Sequence, residues 1–391
     1  MASNGVAAAA AAGAAAPLFQ PYRLPSGKEL AHRIVYAPLT RCRALNTIPQ
    51  PNAAVYYAQR ATQGGLMISE GTVISDDGHG YPCTPGIYSN EHVAAWRPIV
   101  QAVHDKGAVF YCQIWHVGRA SHPHYMPDES LPVSSTTKAV KGQCFSLKTM
   151  QMEDHTEARA LSAEEIPAYV DKYRQAARNA VDAGFDGVEI HGANGYLIDQ
   201  FLKDGINDRT DQYGGSIENR CRFALEVVKA VADEIGAEKV GLRLSPFGGF
   251  LDAHDSHPYS SVVFLLEELN KHNLAYVHIV EPRVAGNDDL AFTPDSIQPF
   301  RQVYKGTLIA AGGYNAANGG DAVRSGHCDL VCYGRHYIAN PDLPRRFQLG
   351  APLNKYDRAT FYTQGEEGYT DYPFLEETEE GKAFLAAQAA N

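Results

Sequence analysis

The chain has 391 residues, of which 45% are hydrophobic and 20% charged, proportions typical of a soluble globular protein rather than a fibrous or disordered one. Its 34 basic and 45 acidic residues give a formal net charge of −11, which argues against binding to nucleic acid or to an anionic membrane. No run approaches the ~20 apolar residues of a membrane-spanning helix, so that class is excluded as well.

The two ends of the chain differ in composition from its middle. Residues 1–16 are nearly all alanine and lack the features of a secretory signal or a transit peptide, so they are predicted to be a disordered tail. Residues 377–391 are predicted to be a second tail, without a peroxisomal ending. Residues 17–376 are then one domain. Seven cysteines without a signal peptide predict reduced thiols and a cytoplasmic protein.

Eight short β-rich runs alternate with amphipathic helical stretches between these tails. Most of the runs are continuously apolar, as expected of parallel strands that are buried on both faces. The runs are residues 34–37, 66–73, 109–114, 187–191, 240–244, 276–280, 307–311 and 330–333. A strand and a helix repeated eight times predict an α/β fold, a single closed (β/α)8 TIM barrel, rather than an open sheet.

The segments between the strands fall into helices and two long loops. Helices are predicted over residues 89–104, 163–183, 216–235 and 259–272 from their periodicity and capping residues. Residues 115–161 after the third strand and 281–300 after the sixth are too long for the simple repeat. Long connections in compact domains are often functional, so we expect both to be lids or substrate loops.

The carboxyl ends of the strands, where TIM barrels carry their chemistry, are polar and rich in glycine. Gly312, Gly313 and Gly334 follow the seventh and eighth strands, where their backbone amides can cradle a phosphate with help from Arg335. Gln113 ends the third strand, and its amide both donates and accepts, which suits the edge of a pyrimidine-like ring.

Two further strand ends complete the predicted ligand. Arg243 places a permanent cation near the barrel axis, where it would stabilise an anion that forms during turnover. Thr40 supplies a hydroxyl donor after the first strand. A phosphate, an imide-edged ring and negative charge that develops on that ring together predict non-covalently bound flavin mononucleotide (FMN).

Residues 191–196, His-Gly-Ala-Asn-Gly-Tyr, follow the fourth strand. His191 and Asn194 are donors three residues apart that can converge on one oxygen, and such a pair polarises a carbonyl and holds an enolate. Tyr196 adds a phenol that can supply a proton. These three are the predicted catalytic residues of a reductase that converts an enone to a saturated ketone.

At these positions the chain resembles the old yellow enzyme family, and within it the plant 12-oxophytodienoate reductases, over about residues 17–376. The similar segments are Ala-Pro-Leu-Thr-Arg at 37–41, Cys-Gln-Ile-Trp-His-Val-Gly-Arg at 112–119, and residues 191–201, 207–216, 333–335, 339–343 and 361–363. Residues 120–160 match least. Because the chain lacks a peroxisomal ending, it resembles the cytosolic subgroup more closely.

The resemblance implies a role for each site residue. The residues implied to bind the flavin are Pro38, Leu39, Thr40, Gly71, Gln113, Arg243, Gly312, Gly313, Gly334 and Arg335. Thr40 would hydrogen-bond the carbonyl edge of the ring and tune its potential. The residues implied to contact substrate are His191, Asn194, Arg283, Tyr81, Phe250 and Tyr362. Of these, Tyr81 and Phe250 would face each other across the pocket mouth and limit which stereoisomers enter.

The implied activity is NADPH-dependent, FMN-dependent reduction of the C=C bond of α,β-unsaturated carbonyls. The expected substrates are 12-oxophytodienoate or related oxylipin cyclopentenones. No Rossmann fingerprint follows a strand, so NADPH and the enone are expected to use one pocket in turn, with ping-pong kinetics. Hydride would reach the β-carbon, and Tyr196 would protonate the α-carbon. Only small-molecule partners are expected, and a monomer is the default.

Two alternatives from other classes remain. His116, His122, His124 and Asp128 could be the ligands of a metal-dependent hydrolase, but only His116 lies near a strand end, and no metal site is predicted. The chain could also bind flavin as a sensor or carrier without turnover. A carrier needs no proton donor, so the presence of Tyr196 argues against it.

Overall fold

The computed structural model describes residues 2–285, 288–289 and 293–390 of the chain. At its centre is a barrel of eight parallel strands. They are β1 (Ile34–Tyr36), β2 (Leu66–Ile68), β3 (Val109–Trp115), β4 (Gly187–Gly192), β5 (Val240–Leu244), β6 (Tyr276–Val280), β7 (Leu308–Ala311) and β8 (Leu330–Tyr333). The predicted TIM barrel is thereby confirmed. The predicted run 66–73 is divided into β2 and a short strand, Thr72–Val73, which also pairs with β3.

The pairing of the strands determines which side chains meet inside the barrel. Each strand pairs in parallel with the next, and β8 pairs with β1, which closes the ring. His191 on β4 is opposite Arg243 on β5, which is opposite His278 on β6. Gln113 on β3 is opposite Glu189 on β4. Since alternate residues of a strand share a face, all five side chains point the same way.

Helices lie around the barrel, several of them packed against its strands. They are α1 (Ala2–Ala15), α2 (Asn52–Arg60), α3 (Asn90–His104), α4 (Ile166–Ala183), α5 (Leu197–Leu202), α6 (Ile217–Ile235), α7 (Pro258–Leu269), α8 (Gln298–Val303), α9 (Ala316–Arg324), α10 (Arg335–Ala339), α11 (Leu343–Leu349) and α12 (Glu379–Ala389). Ser89 caps α3 and Ser216 caps α6, each by accepting a backbone N–H of the first turn, as their sequences predict. No helix in the described ranges has the length and apolarity that crossing a membrane requires.

Both ends of the chain contain a helix, and the N-terminal one corrects the prediction of a disordered tail. Residues 2–15 form α1, which packs against α9 and α11 and buries Ala8 and Ala15. Alanine has the highest helix propensity, and its small side chain lets a helix approach its neighbours closely, so the composition that suggested disorder favours a packed helix here. At the other end, Glu379–Ala389 forms α12, capped by Thr378, with most of its side chains exposed.

The two long connections carry their own small sheets. After β3, Gln143–Ser146 pairs antiparallel with Gln151–Asp154, and Val133–Ser134 pairs parallel with Arg159–Ala160. After β6, the backbone of Val284–Ala285 pairs with that of Asp288–Asp289. Part of this second connection, residues 286–287 and 290–292, lies outside the described residues. Both connections follow the carboxyl ends of strands, which is the end of the barrel where the predicted site residues lie.

Candidate active site

The structure brings His191, Asn194 and Tyr196 together at the carboxyl end of β4. The rings of His191 and Tyr196 meet edge to face with centroids 5.0 Å apart. The Trp115 ring lies against both, 6.1 Å from His191 and 4.9 Å from Tyr196. Gly71 allows this approach, because a Cβ there would lie 2.6 Å from Trp115 Cε3. Trp115 therefore forms a wall against which the rings of His191 and Tyr196 pack.

His191 is arranged as a neutral hydrogen-bond donor. Burial, reinforced by the neighbouring Arg243 guanidinium, lowers the pKa of His191 well below its ordinary value. Its Nδ1 accepts the backbone N–H of Ala193 at 3.3 Å. A neutral imidazole that accepts at Nδ1 carries its proton on Nε2. The Nε2–H group of His191 is therefore available as a hydrogen-bond donor.

Asn194 is held by its backbone in an uncommon conformation. Its φ of 59° lies in the left-handed region, which asparagine adopts more readily than most residues. The backbone N–H donates to Ser245 Oγ at 2.7 Å, which ties this turn to the loop after β5. The next residue is fixed too, since the Gly195 N–H donates to the buried Asp199 carboxylate at 2.8 Å. The turn thus has anchors on two elements.

Tyr196 keeps its proton over the physiological range. Burial, together with the neighbouring Tyr81, raises the pKa of the Tyr196 phenol well above its ordinary value. The Tyr196 hydroxyl donates to the Tyr81 hydroxyl at 3.1 Å, and the Tyr81 ring stacks on Trp115 with centroids 5.7 Å apart. A neutral phenol beside a neutral imidazole donor suits proton delivery to a substrate whose oxygen is already bound.

The residues predicted to bind a phosphate lie at the ends of β7 and β8. Gly312 and Gly313 have φ values of 108° and 63°, a conformation that glycine adopts without strain. A Cβ on Gly334 would lie 3.1 Å from the Leu39 side chain, so the backbone here is close to the segment after β1. Arg335 begins α10 and donates to the Tyr356 hydroxyl at 3.4 Å. Backbone and cation are placed as an anion site requires.

The residues predicted to bind a flavin ring are distributed around the barrel mouth. Pro38 is buried, and Leu39 and Thr40 are half-buried after β1. Gln113 is buried in β3, and its amide nitrogen donates to Glu189 Oε1 at 2.7 Å. Arg243 is half-buried, and its Nε is buried without a hydrogen-bond partner. A polar atom left without a partner in this way fits a site built to receive a polar ligand.

The predicted substrate contacts are divided between the pocket and its rim. Tyr81 lies against Tyr196 and Trp115, as described above. Arg283 donates to the Gly312 carbonyl at 3.1 Å and stacks on Tyr314, with its guanidinium 4.4 Å from the ring centroid. Phe250 and Tyr362 are exposed on the rim. The structure therefore places Arg283 beside the glycines after β7, and leaves the two aromatic side chains free for a ligand.

Four residues of the site escaped the sequence prediction: Trp115, Ser245, Glu189 and His278. Glu189 and His278 are completely buried. The signal for Glu189 was present, because it lies two residues before His191 on one strand, and side chains two apart share a face. Trp115 and Ser245 lie two residues after Gln113 and Arg243, but their contacts with Tyr196 and Asn194 could not be predicted because they join segments distant in sequence.

The four candidate ligands of the alternative metal site, His116, His122, His124 and Asp128, do not form a single cluster. His116 pairs with Asp77 at 3.5 Å, apart from the other proposed ligands, and Asp128 accepts the N–H of Ser130. His122 and His124 do meet, with ring centroids 4.2 Å apart, and Glu153 lies 3.3 Å from His122 Nε2. Yet His122 Nδ1 accepts the His124 N–H, so the neutral ring has its proton on Nε2. That atom donates to Glu153 instead of offering a lone pair to a metal.

The chain is similar to known proteins along most of its length. The model of the NADH:flavin oxidoreductase / NADH oxidase family matches residues 17–354. The chain is 55% identical over 372 residues to 12-oxophytodienoate reductase 1 of Oryza sativa subsp. japonica, covering 95% of this chain and 96% of the rice protein. It is 53% identical over 364 residues to 12-oxophytodienoate reductase 2 of Arabidopsis thaliana, covering 93% and 96% of the two chains.

The fold is also similar to those of solved structures. Morphinone reductase in complex with tetrahydroNAD superposes with a TM-score of 0.86 at 45% identity, over 91% of this chain and 97% of that one. The old yellow enzyme homologue from Zymomonas mobilis superposes with a TM-score of 0.87 at 42% identity, over 91% and 99%. The similarity thus includes the whole barrel and the strand ends that carry the site.

Proposed function

Because the chain belongs to the NADH:flavin oxidoreductase, or old yellow enzyme, family, an FMN-dependent group of oxidoreductases, we propose that it reduces the C=C bond of α,β-unsaturated carbonyls with NADPH. The observation that carries the proposal is the arrangement of His191, Asn194 and Tyr196 against Trp115. It combines a neutral imidazole donor with a protonated phenol at one end of the barrel.

Hydride transfer from the nicotinamide to the β-carbon of the enone is the chemistry that bound FMN would supply. The residues that fit this group are Pro38, Leu39, Thr40, Gly71, Gln113, Arg243, Gly312, Gly313, Gly334 and Arg335. The glycines after β7 and β8, with Arg335, would hold the phosphate. Gln113, Arg243 and Thr40 would hold the ring, and the buried Arg243 Nε without a partner supports this assignment.

The catalytic residues act on the other half of the substrate. His191 donates through Nε2–H to the carbonyl oxygen, and Asn194 is the second donor, so negative charge that develops on this oxygen is stabilised. The Tyr196 hydroxyl leaves Tyr81 and gives its proton to the α-carbon. Trp115 and the packed rings around it keep bulk water from the reacting carbon. Tyr196 regains its proton from solvent before the next turnover.

For the substrate we propose cyclopentenones of the oxylipin class, such as 12-oxophytodienoate. The names of the rice and Arabidopsis relatives support this choice. The nicotinamide is proposed to enter the same pocket before the enone, which gives ping-pong kinetics. Tyr81, Phe250, Arg283 and Tyr362 are then the groups that the rest of the substrate meets.

Isotope labelling tests the proposed regiochemistry. With nicotinamide deuterated at C4 in ordinary water, deuterium should appear on the β-carbon of the product. With ordinary NADPH in deuterium oxide, it should appear on the α-carbon. Reduction of the C=O group, or an absence of enone-dependent NADPH oxidation by the flavin-loaded protein, would overturn the proposal.

A further inference from the structure

Three buried polar residues inside the barrel, Gln113, Glu189 and His278, are joined by hydrogen bonds. Glu189 accepts the amide N–H of Gln113 at Oε1, 2.7 Å away, and the ring N–H of His278 at Oε2, 2.9 Å away. Glu189 and His278 are completely buried, and Gln113 nearly so. The proposed mechanism uses neither Glu189 nor His278, so their presence in the barrel interior needs another explanation.

The surroundings of Glu189 and His278 determine whether each side chain is charged. Burial works to raise the pKa of the Glu189 carboxyl, but His278, Arg243 and the Gln113 amide outweigh it, and the pKa lies below its ordinary value. Burial lowers the pKa of His278 below its ordinary value, against the pull of Glu189. At neutral pH the interior therefore holds an ionised Glu189 and a neutral His278, with the Arg243 guanidinium as the compensating cation.

The ionised carboxylate fixes which way round the Gln113 amide lies. A carboxylate accepts hydrogen bonds and donates none, so Gln113 must direct its Nε2 towards Glu189. Its Oε1 and one remaining N–H are then available to a ligand in a fixed order. An amide without this partner could present its oxygen and nitrogen in either order.

We propose that Glu189, held in place by His278, is a positioning residue that orients the Gln113 amide for the imide edge of FMN and whose negative charge opposes reduction of the bound flavin. This inference rests on the proposed function, since it takes the ligand of Gln113 to be FMN. The sign of the second effect follows from charge: reduction adds electrons to the ring, which Arg243 favours and a nearby anion disfavours.

The direct test replaces Glu189 by its neutral isostere. Glu189→Gln should raise the dissociation constant of FMN about tenfold, the cost of one poorly made buried hydrogen bond. It should also move the flavin midpoint potential to a more positive value. The control is Glu234→Gln, because Glu234 is a glutamate on α6 that pairs with Arg174 and Arg178, outside the barrel interior and away from the proposed flavin site. This control should leave both quantities unchanged.

A second variant provides a test that does not depend on the folding of the first. In His278→Phe the carboxyl of Glu189 loses the partner that keeps it ionised, and the other titratable or charged groups around it are Arg243, Tyr276 and Cys332. The FMN dissociation constant of this variant should then rise more steeply with falling pH than that of the wild type, whose own pH dependence reflects the ligand phosphate. Simple structural damage would weaken binding by the same factor at every pH.

The outcomes separate this inference from the proposed function. If the wild-type protein does not bind FMN, the proposed function itself fails. If the wild type binds FMN and Glu189→Gln matches it in both affinity and potential, only the role of Glu189 is refuted. An affinity of His278→Phe whose pH dependence equals that of the wild type would refute it equally.

Discussion

The strand-end site and the rim around it are built in different ways. At the site, Gln113, His191 and Tyr196 are buried, and each contacts a defined group on another strand or loop, Glu189 for Gln113, Trp115 for His191 and Tyr81 for Tyr196. On the rim, Phe250 and Tyr362 are 45% and 53% exposed. The difference indicates that the barrel fixes the chemistry, while the loops determine which substrates reach it.

The difference between the site and the rim predicts different effects for substitutions in the two regions. A change at the strand ends should affect every substrate, since every substrate needs the same hydride and proton. A change on the rim should affect substrates unequally and spare the smallest ones.

The largest effect is expected from Tyr196→Phe. The rate at which enone reoxidises the reduced enzyme should fall by ~10²–10⁴-fold, because the general acid is lost. Reduction by NADPH needs no proton from Tyr196 and should hardly change. Stopped-flow measurement of the two half-reactions checks this. An equal loss in both would point to structural damage and contradict the assigned role.

A smaller, selective effect is expected from Phe250→Ala on the rim. Loss of one apolar contact at the pocket mouth should change the ratio of rates for the two enantiomers of a bulky cyclopentenone by about tenfold. The rate with 2-cyclohexenone, which is too small to reach the rim, is the internal control and should stay within about twofold. Equal changes for small and bulky enones would remove the distinction between site and rim.

Thr40→Ala should act on the flavin alone. Loss of a hydrogen bond worth ~0.5–1.5 kcal/mol to the reduced ring should lower the two-electron midpoint potential by roughly 10–30 mV. Thr40→Ser keeps the hydroxyl and serves as the matched control. A potential in Thr40→Ala that equals the wild-type value would refute the tuning role.

The smallest effect is expected from pH. His191 is neutral above its lowered pKa, and Tyr196 is protonated below its raised pKa, so neither changes charge between pH 7 and 9. The rate of enone reduction in single turnover should be flat over this range. It should fall only at lower pH, as His191 gains a proton, or at higher pH, as Tyr196 loses one. A limb centred near pH 7.5 would contradict this assignment of protons.

The sequence predicted the barrel well because buried parallel strands leave a clear signal. The bounds of β5, β6 and β8 agree with the prediction, since each is a short apolar run between turn residues. The prediction was wrong at the N-terminus, where it relied on amino-acid composition alone. The alanines of residues 2–15 suggested disorder, yet they form a helix whose stability comes from packing on α9 and α11.

The site was predictable to the extent that it follows strand ends. His191, Asn194 and Tyr196 lie within one turn, so their spacing alone brought them together. The Trp115 wall and the Ser245 anchor come from segments that only the fold brings close. The hairpin of Gln143–Ser146 and Gln151–Asp154 gave no strand signal, because its sequences, Gln-Cys-Phe-Ser and Gln-Met-Glu-Asp, do not alternate regularly between apolar and polar residues.

The central claim is that a bound flavin passes hydride from NADPH to an enone. The most direct test follows the visible absorbance of the purified, FMN-loaded protein without oxygen, with NADPH added first and 2-cyclohexenone second. The account predicts that the flavin band bleaches and then recovers. A band that bleaches without recovery would contradict the roles of His191, Asn194 and Tyr196, and a protein that cannot be loaded with FMN would contradict the account as a whole.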